Sequence, residues 1–176
     1  MKAITTILLI TGLFLLTACT SAPDGITPVK NFDLEQYKGK WYEIARLNHS
    51  FEEGMEQVTA TYTLNDDGTV KVLNKGYITK EQKWDEAEGL AKFVESSDTG
   101  HFKVSFFGPF YGAYVIFELD QADYQYAFIT SYNRDFLWFL SRTPNVSDEL
   151  KQHFIAKAKK LGFATEQIIW VEQKGV

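Results

Sequence analysis

The sequence predicts an all-β chain: an eight-stranded antiparallel up-and-down β-barrel with one C-terminal α-helix packed outside. Three observations predict it. Short β-rich segments with alternating apolar character recur along most of the chain and are separated by turn residues. Aromatics make up 15% of the sequence and are spread among those segments instead of lining one long helix. A single stretch, after Pro144, carries apolar residues at helical spacing. Sequential strands with short connections leave two unpaired edges unless the sheet closes, and closure makes a barrel.

The first residues stand apart from that domain. Lys2 precedes an apolar run, Ile4 to Leu16, that ends at Leu16-Thr17-Ala18-Cys19. A positive start, a short apolar stretch and small residues at its end describe a secretory signal. A membrane anchor needs about 20 apolar residues, so this run is too short to be one. Residues 1–18 are therefore read as a signal peptide, 19–30 as a tether with Pro23 and Pro28 among small and polar residues, and 31–176 as the barrel domain. Removing residues 1–18 leaves 158, one domain by length and enough to bury roughly 70% of the unfolded surface. Seventeen basic residues against 23 acidic ones then give a formal charge of −6. That balance offers no basic face, so no nucleic-acid partner is expected. Cys19 is the only cysteine, which leaves the domain to rely on packing without disulfides.

Strands are expected near Gly39–Leu47, Val58–Leu64, Val70–Tyr77, Glu86–Phe93, Lys103–Phe107, Ala113–Leu119, Tyr126–Ser131 and Phe136–Ser141. Asn65-Asp66-Asp67-Gly68 joins the second to the third as a hairpin turn. Pro144 stops the eighth strand, Ser147 is positioned as a helix N-cap, and Asp148 and Glu149 suit the positive helix start. Leu150, Phe154, Ala158 and Leu161 form one apolar stripe, which packs most simply against the outside of the barrel. Lys157, Lys159 and Lys160 fit the negative helix end, and Gly162 follows as a C′ residue. Ile168-Ile169-Trp170-Val171 gives a short last strand.

Two resemblances add to this reading. Leu16-Thr17-Ala18-Cys19 resembles the lipobox of bacterial lipoproteins, which implies that Cys19 is acylated, becomes residue one and ties the protein to a membrane. Thr20 after that cysteine, with no aspartate there, resembles outer-membrane sorting, facing the periplasm. Asn31-Phe32-Asp33-Leu34, then Tyr37, then Gly39-Lys40-Trp41-Tyr42 resembles the lipocalin signature, and Leu140-Ser141-Arg142-Thr143-Pro144 is similar to that family's third block. Thr130-Ser131-Tyr132 stands where many members have Thr-Asp-Tyr, so the middle block departs from the pattern. The run Ser105 to Gly112 is similar to bacterial outer-membrane lipocalins and their apolipoprotein D-like relatives. The resemblance implies that Gly39, Trp41 and Arg142 are structural residues of the closed end, with the arginine packed across the tryptophan, and that the barrel holds an apolar ligand.

The candidate ligand site is the inward face of the strands. With Trp41 and Trp138 inward, the two-residue period selects Val58, Ala60 and Tyr62, Val72 and Asn74, Ala91 and Phe93, Val104 and Phe106, Tyr114 and Ile116, and Trp138 and Leu140. These large aromatics and small alanines either leave an apolar hollow or meet and fill the barrel. Asn74, Tyr62 and Tyr114 are positioned to hold a ligand head group or a water. An acyl chain burying about 400 Å² gains roughly 10 kcal/mol before association costs of several kcal/mol, which gives micromolar affinity. Loops near Leu47–Met55 and Gly108–Gly112 form the rim, where Phe51, Phe110 and Tyr111 could dip into a lipid interface.

Catalytic patterns are poor. His49, His101 and His153 share no metal-like spacing, and Ser105 and Ser141 have no base nearby in sequence, so neither cofactor nor metal is expected. Glu43 is awkward: the strand period points it inward, and Arg142 is its expected partner. The resulting expectation is a membrane-anchored, non-enzymatic lipocalin that stores or carries fatty acids or lysophospholipids. A structural envelope lipoprotein acting through its outer surface, or a lipid-modifying enzyme, stays open as an alternative. So does a homodimer formed through an exposed strand or rim aromatics.

Overall fold

The computed structural model describes residues 20–174; the signal segment and Cys19, the expected acylation site, lie outside the described residues. Eight strands follow in order: β1 Gly39–Arg46, β2 Met55–Leu64, β3 Val70–Ile78, β4 Lys83–Phe93, β5 His101–Phe107, β6 Phe110–Leu119, β7 Tyr126–Thr130 and β8 Leu137–Ser141. Each pairs antiparallel with the next, and β1 pairs with both β2 and β8, so the sheet closes on itself. A short helix α1, Leu34–Tyr37, precedes β1, and α2, Asp148–Lys160, follows β8.

Closure is incomplete at one seam, and the C-terminus completes it. β1 pairs with β2 only over Gly39–Tyr42, then parts from it toward the open end. There the two-residue β9, Ile169–Trp170, pairs with Ala45 and Arg46. Beyond it, the amide of Gln57 donates to the carbonyl of Glu172 at 2.9 Å, and the Gln173 side chain donates to the carbonyls of Glu43 and Val58 at 2.8 and 2.9 Å. The predicted last strand thus serves as a patch across the gap.

Two apolar clusters lie on opposite sides of the wall. Inside, Trp41, Ala60, Tyr62, Val72, Ala91 and Ile116 pack with others from β1 to β8. Outside, Phe128, Phe139 and Ala45 meet α2, whose Phe154 ring lies 4.9 Å from Phe128 and 5.0 Å from Phe139. α2 begins as expected: the Ser147 hydroxyl accepts from the Leu150 amide at 3.2 Å, and Asp148 and Glu149 sit in the first turn. Gly162 ends it at φ +83°, a conformation costly for any residue with a Cβ.

The expected tether behaves differently. Residues 20–30 are docked along the barrel wall: Ile26 is buried in the outer cluster, the Val29 amide donates to Ile116 at 2.9 Å, and Lys30 bridges to Thr99. The prolines suggested an extended spacer, but one apolar side chain and a few backbone hydrogen bonds suffice to hold the segment down.

Candidate functional site

The closed end joins the segment from Gln36 to Trp41 with Arg142, just past β8. The guanidinium of Arg142 lies 3.9 Å from the centre of the Trp41 ring, the packing that the resemblance implied. Its nitrogens donate to backbone carbonyls of Gln36, Tyr37, Lys38 and Lys40 at 2.6–3.1 Å, so one side chain satisfies the carbonyls ending α1 and the strand after it. Trp41 Nε1 donates to the Tyr37 carbonyl at 2.8 Å, and Tyr37 is buried beneath it. Gly39, at φ +97°, makes the sharp entry into β1.

Above this floor the strand period holds. Ala60 faces Asn74 across β2 and β3, Tyr62 faces Val72, Ala91 faces Val104, and Trp138 faces Ile129. Directly paired residues share a face. Ala60, Tyr62, Val72, Ala91, Phe93, Val104, Phe106, Tyr114, Ile116, Trp138 and Leu140 all belong to the interior cluster or pack on it. Asn74 lies on the same face through its pairing with Ala60, and Val58 is buried beside Met55, close to the space a side chain on Gly76 would fill. The interior also takes Val70, Phe102, Ala127 and Ile129. The β5 contribution was missed because the strand begins at His101, two residues earlier than expected; β7 follows the same two-residue period.

The interior divides by depth. Near the floor the side chains meet: an enclosed space lined by Leu34, Tyr37, Tyr62, Val70, Ala91, Phe102, Val104 and Tyr114 has a volume of only about 10 Å³. Toward the mouth, Asn74, Phe106 and Trp138 point inward yet remain only partly buried. The barrel is therefore filled near the floor, and its inward side chains become partly exposed toward the mouth.

At the mouth the structure overturns one expectation. Glu43 points inward, but its partner is Arg46, with Nη1 donating to Oε1 at 2.7 Å, and both side chains are almost fully buried. Arg142 is occupied at the floor. The reason is a register shift in β1 between Glu43 and Ala45, which turns Arg46 to the inside beside Trp138. Arg46 Nη2 also donates to the carbonyls of Glu52 and Met55 at 2.8 and 2.9 Å, drawing the β1–β2 connection over the opening. Trp138 Nε1 donates to Glu52 Oε2 at 3.1 Å, and His49 Nε2 lies 3.1 Å from the same oxygen.

Two carboxyls in this cluster are pushed apart. Burial, together with the nearby charge of Glu52, drives Glu43 well above the ordinary carboxylate range against the pull of Arg46. Burial opposes ionisation of Glu52 as well, but the contacts with His49, Trp138 and Arg46 outweigh it and hold that carboxyl below its usual value. His101 and His153 lie elsewhere: His101 Nε2 is 2.8 Å from the carbonyl of Thr20, and His153 contacts Glu118.

The sequence profile of the Lipocalin-like domain matches residues 32–173. The chain belongs to the lipocalin family. This lipocalin is 51% identical over 160 residues to the outer membrane lipoprotein Blc of Vibrio cholerae, covering 91% of this chain and 94% of that protein. It is 33% identical over 142 residues to apolipoprotein D of Rattus norvegicus, covering 77% and 72%. Its fold superposes on the crystal structure of the allergen Per a 4 from cockroaches with a TM-score of 0.67 at 21% identity, over 87% of this chain and 95% of that one. The bacterial and apolipoprotein D-like resemblance read from Ser105 to Gly112 is thereby borne out.

Proposed function

We propose that this lipocalin is acylated at Cys19, sits on the outer membrane, and binds a single-chain lipid, a fatty acid or lysophospholipid, inside the barrel for storage or transport. The observation that carries this reading is the difference between the two ends of the barrel: inward Asn74, Phe106 and Trp138 stay partly exposed toward the mouth above a closed floor. A chain enters along that apolar wall, and the polar groups at the mouth stay with its head. The 51% identity to a protein named as an outer membrane lipoprotein supports the location.

The rim supports exchange with a bilayer. Phe51, Phe107 and Phe110 are 66%, 73% and 77% exposed at the connections that ring the mouth, where a soluble surface gains nothing from them. Tyr111 is held back under the Lys103 ammonium at 5.5 Å, so Phe107 takes the place that Tyr111 was expected to fill. Serine at all three phenylalanines slows lipid uptake from vesicles; an unchanged rate removes the membrane contact from the mechanism.

The direct test is native mass spectrometry of the chain from Thr20 onward, followed by lipid extraction. A stoichiometric fatty acid or lysophospholipid is expected. A bare protein mass that persists after incubation with both lipid classes overturns the proposal.

A further inference from the structure

The outward face of β5 carries three features in a line. At its start the buried His101 donates from Nε2 to the carbonyl of Thr20 at 2.8 Å. Lys103 follows two residues on, and the strand ends at the exposed Phe107, with Phe110 opposite it across the hairpin turn. His101 and Lys103 pair with Val115 and Ala113, both members of the outer cluster, which places their side chains on the outside of the barrel.

Residues 20–30 fix where that line begins. The Gly100 amide donates to the Val29 carbonyl and the Val29 amide to the Ile116 carbonyl, each at 2.9 Å, while Ala22 and Ile26 pack on the outer wall. A Cβ on Gly100 would lie 2.7 Å from Val29 Cγ2, so the wall is shaped to receive this segment. Cys19 is one peptide bond before Thr20, and consecutive Cα atoms are about 3.8 Å apart. An acyl anchor on Cys19 therefore leaves the chain at the side of the barrel, beside β5.

The lysines next to that point differ from their neighbours. Lys103 pairs directly with Lys92 of β4, and both side chains face out. Like charges placed opposite each other destabilise a sheet unless something anionic covers them. On the adjoining strands Lys71 is bridged to Glu88 at 2.7 Å and Lys75 to Glu86 at 2.8 Å, whereas among the described residues Lys92 and Lys103 make no ion pair. The nearby carboxylates are engaged elsewhere. Glu95 is held by Lys30 at 3.2 Å, and Asp67, which feels the charge of Lys92, accepts from the amide and hydroxyl of Thr69 at 2.9 and 2.6 Å. Val94, next after Lys92 on the same face, is exposed.

We propose that this wall, from His101 past the Lys92–Lys103 pair to Phe107 and Phe110, is a docking surface for the anionic bilayer that carries the anchor, so that the barrel lies on its side with β5 along the membrane. The surface rests on acylation at Cys19 and on the bilayer contact at the rim, both proposed above. Six residues at about 3.3 Å each separate His101 from Phe107, about 20 Å in all. The anchor holds one end of that span, the phenylalanines enter the bilayer at the other, and the lysines meet lipid phosphates between them. The β1–β2 connection lies across the mouth, four strands away, and is lifted clear. Its Phe51 has a partner within the protein, stacking on Phe136 with ring centres 6.3 Å apart.

The test uses the mature acylated chain in vesicles. Acylation caps Cys19, so a single introduced cysteine takes an environment-sensitive fluorophore. Phe110→Cys reports from the hairpin tip and Glu53→Cys from the exposed far side of the mouth. In vesicles of phosphatidylcholine mixed with phosphatidylglycerol, emission from the tip is expected to shift to the blue, and emission from the far side to stay as in water. A shift at both positions means that the mouth faces the bilayer, and a shift at neither means that it faces away; either result overturns the sideways seating. Lys92→Ser with Lys103→Ser is expected to lower the ratio of docked to undocked protein about 25-fold, about fivefold per lysine at an anionic surface. Lys159→Ser with Lys160→Ser makes the same change in net charge on the exposed end of α2 and is expected to leave that ratio unchanged. Neither pair is buried, so both variants keep the fold. Equal losses in the two variants, or an equal shift in phosphatidylcholine alone, overturn the docking surface and leave the lipid carrier intact. A Cys19 that mass spectrometry finds unmodified overturns the anchor and the docking surface together.

Discussion

Floor and mouth of this barrel each depend on one inward arginine, and the two solve the same problem in different ways. Arg142 closes the floor by donating to four backbone carbonyls within 3.1 Å and stacking on Trp41. Arg46 ties down the mouth by donating to two backbone carbonyls and to the Glu43 carboxyl. Peptide carbonyls and an indole do not titrate, so the floor holds its geometry at any pH at which the protein folds. The mouth is balanced by carboxyls whose protonation is set by burial and by each other. A rigid base under an adjustable opening is the arrangement a barrel needs if a ligand enters from one end only.

The largest expected effect separates the two arginines by what each leaves behind. Arg46→Met takes the buried Glu43 carboxyl's 2.7 Å partner and one of the groups that hold Glu52 below its usual value, and breaking such a buried pair costs about 3–5 kcal/mol. Arg142→Met strands no buried charge. It gives up a cation–π contact of about 0.5–2 kcal/mol and hydrogen bonds to carbonyls that water can partly replace, for a total of about 2–3 kcal/mol. Urea unfolding of both variants checks the order. A smaller loss for Arg46→Met than for Arg142→Met breaks the comparison, because it means that the mouth charges are already well solvated.

The same contrast explains what could be read without coordinates. The floor is local and regular: Trp41 and Leu140 obey the strand period, Gly39 and Pro144 bound their strands, and Trp41 and Arg142 come together as the family resemblance implied. Most of the lumen is legible for the same reason, since alternation is fixed by the pleat and carries across each paired strand. The mouth is not. From Glu43 the period sends Arg46 outward, and only the shift between Glu43 and Ala45 brings it in. No residue in Glu43-Ile44-Ala45-Arg46 announces a bulge, because there is no glycine or proline in it. Glu52 and His49 lie in a connection, where no period exists to read. The docking of residues 20–30 escaped for a related reason: composition describes how a free segment behaves, and Ile26 finds its cover only once the outer wall is built.

The smallest expected effect sharpens the comparison most. The folded barrel favours the protonated form of Glu43, so folding binds a proton there that the unfolded chain releases above its ordinary value of 4.5. The stability this contributes is complete below that value and is lost as pH rises through the higher folded value. Glu52 runs the other way: its contribution is present above its ordinary value and is lost as pH falls through its lower folded value. Glu43→Gln keeps a neutral hydrogen-bonding group beside Arg46 and removes only the rising-pH loss. Melting temperatures of wild type and Glu43→Gln should therefore diverge in favour of the variant from about pH 5 to pH 8, the region above the ordinary carboxyl range. Each tenfold preference for the protonated form is worth about 1.4 kcal/mol, or about 3–6 °C in a domain of this size. The matched experiment at the floor, Arg142→Met, should show an offset from wild type that stays constant across the same range. A parallel offset for Glu43→Gln would mean that Arg46 keeps Glu43 ionised throughout, and the mouth would then be as indifferent to pH as the floor.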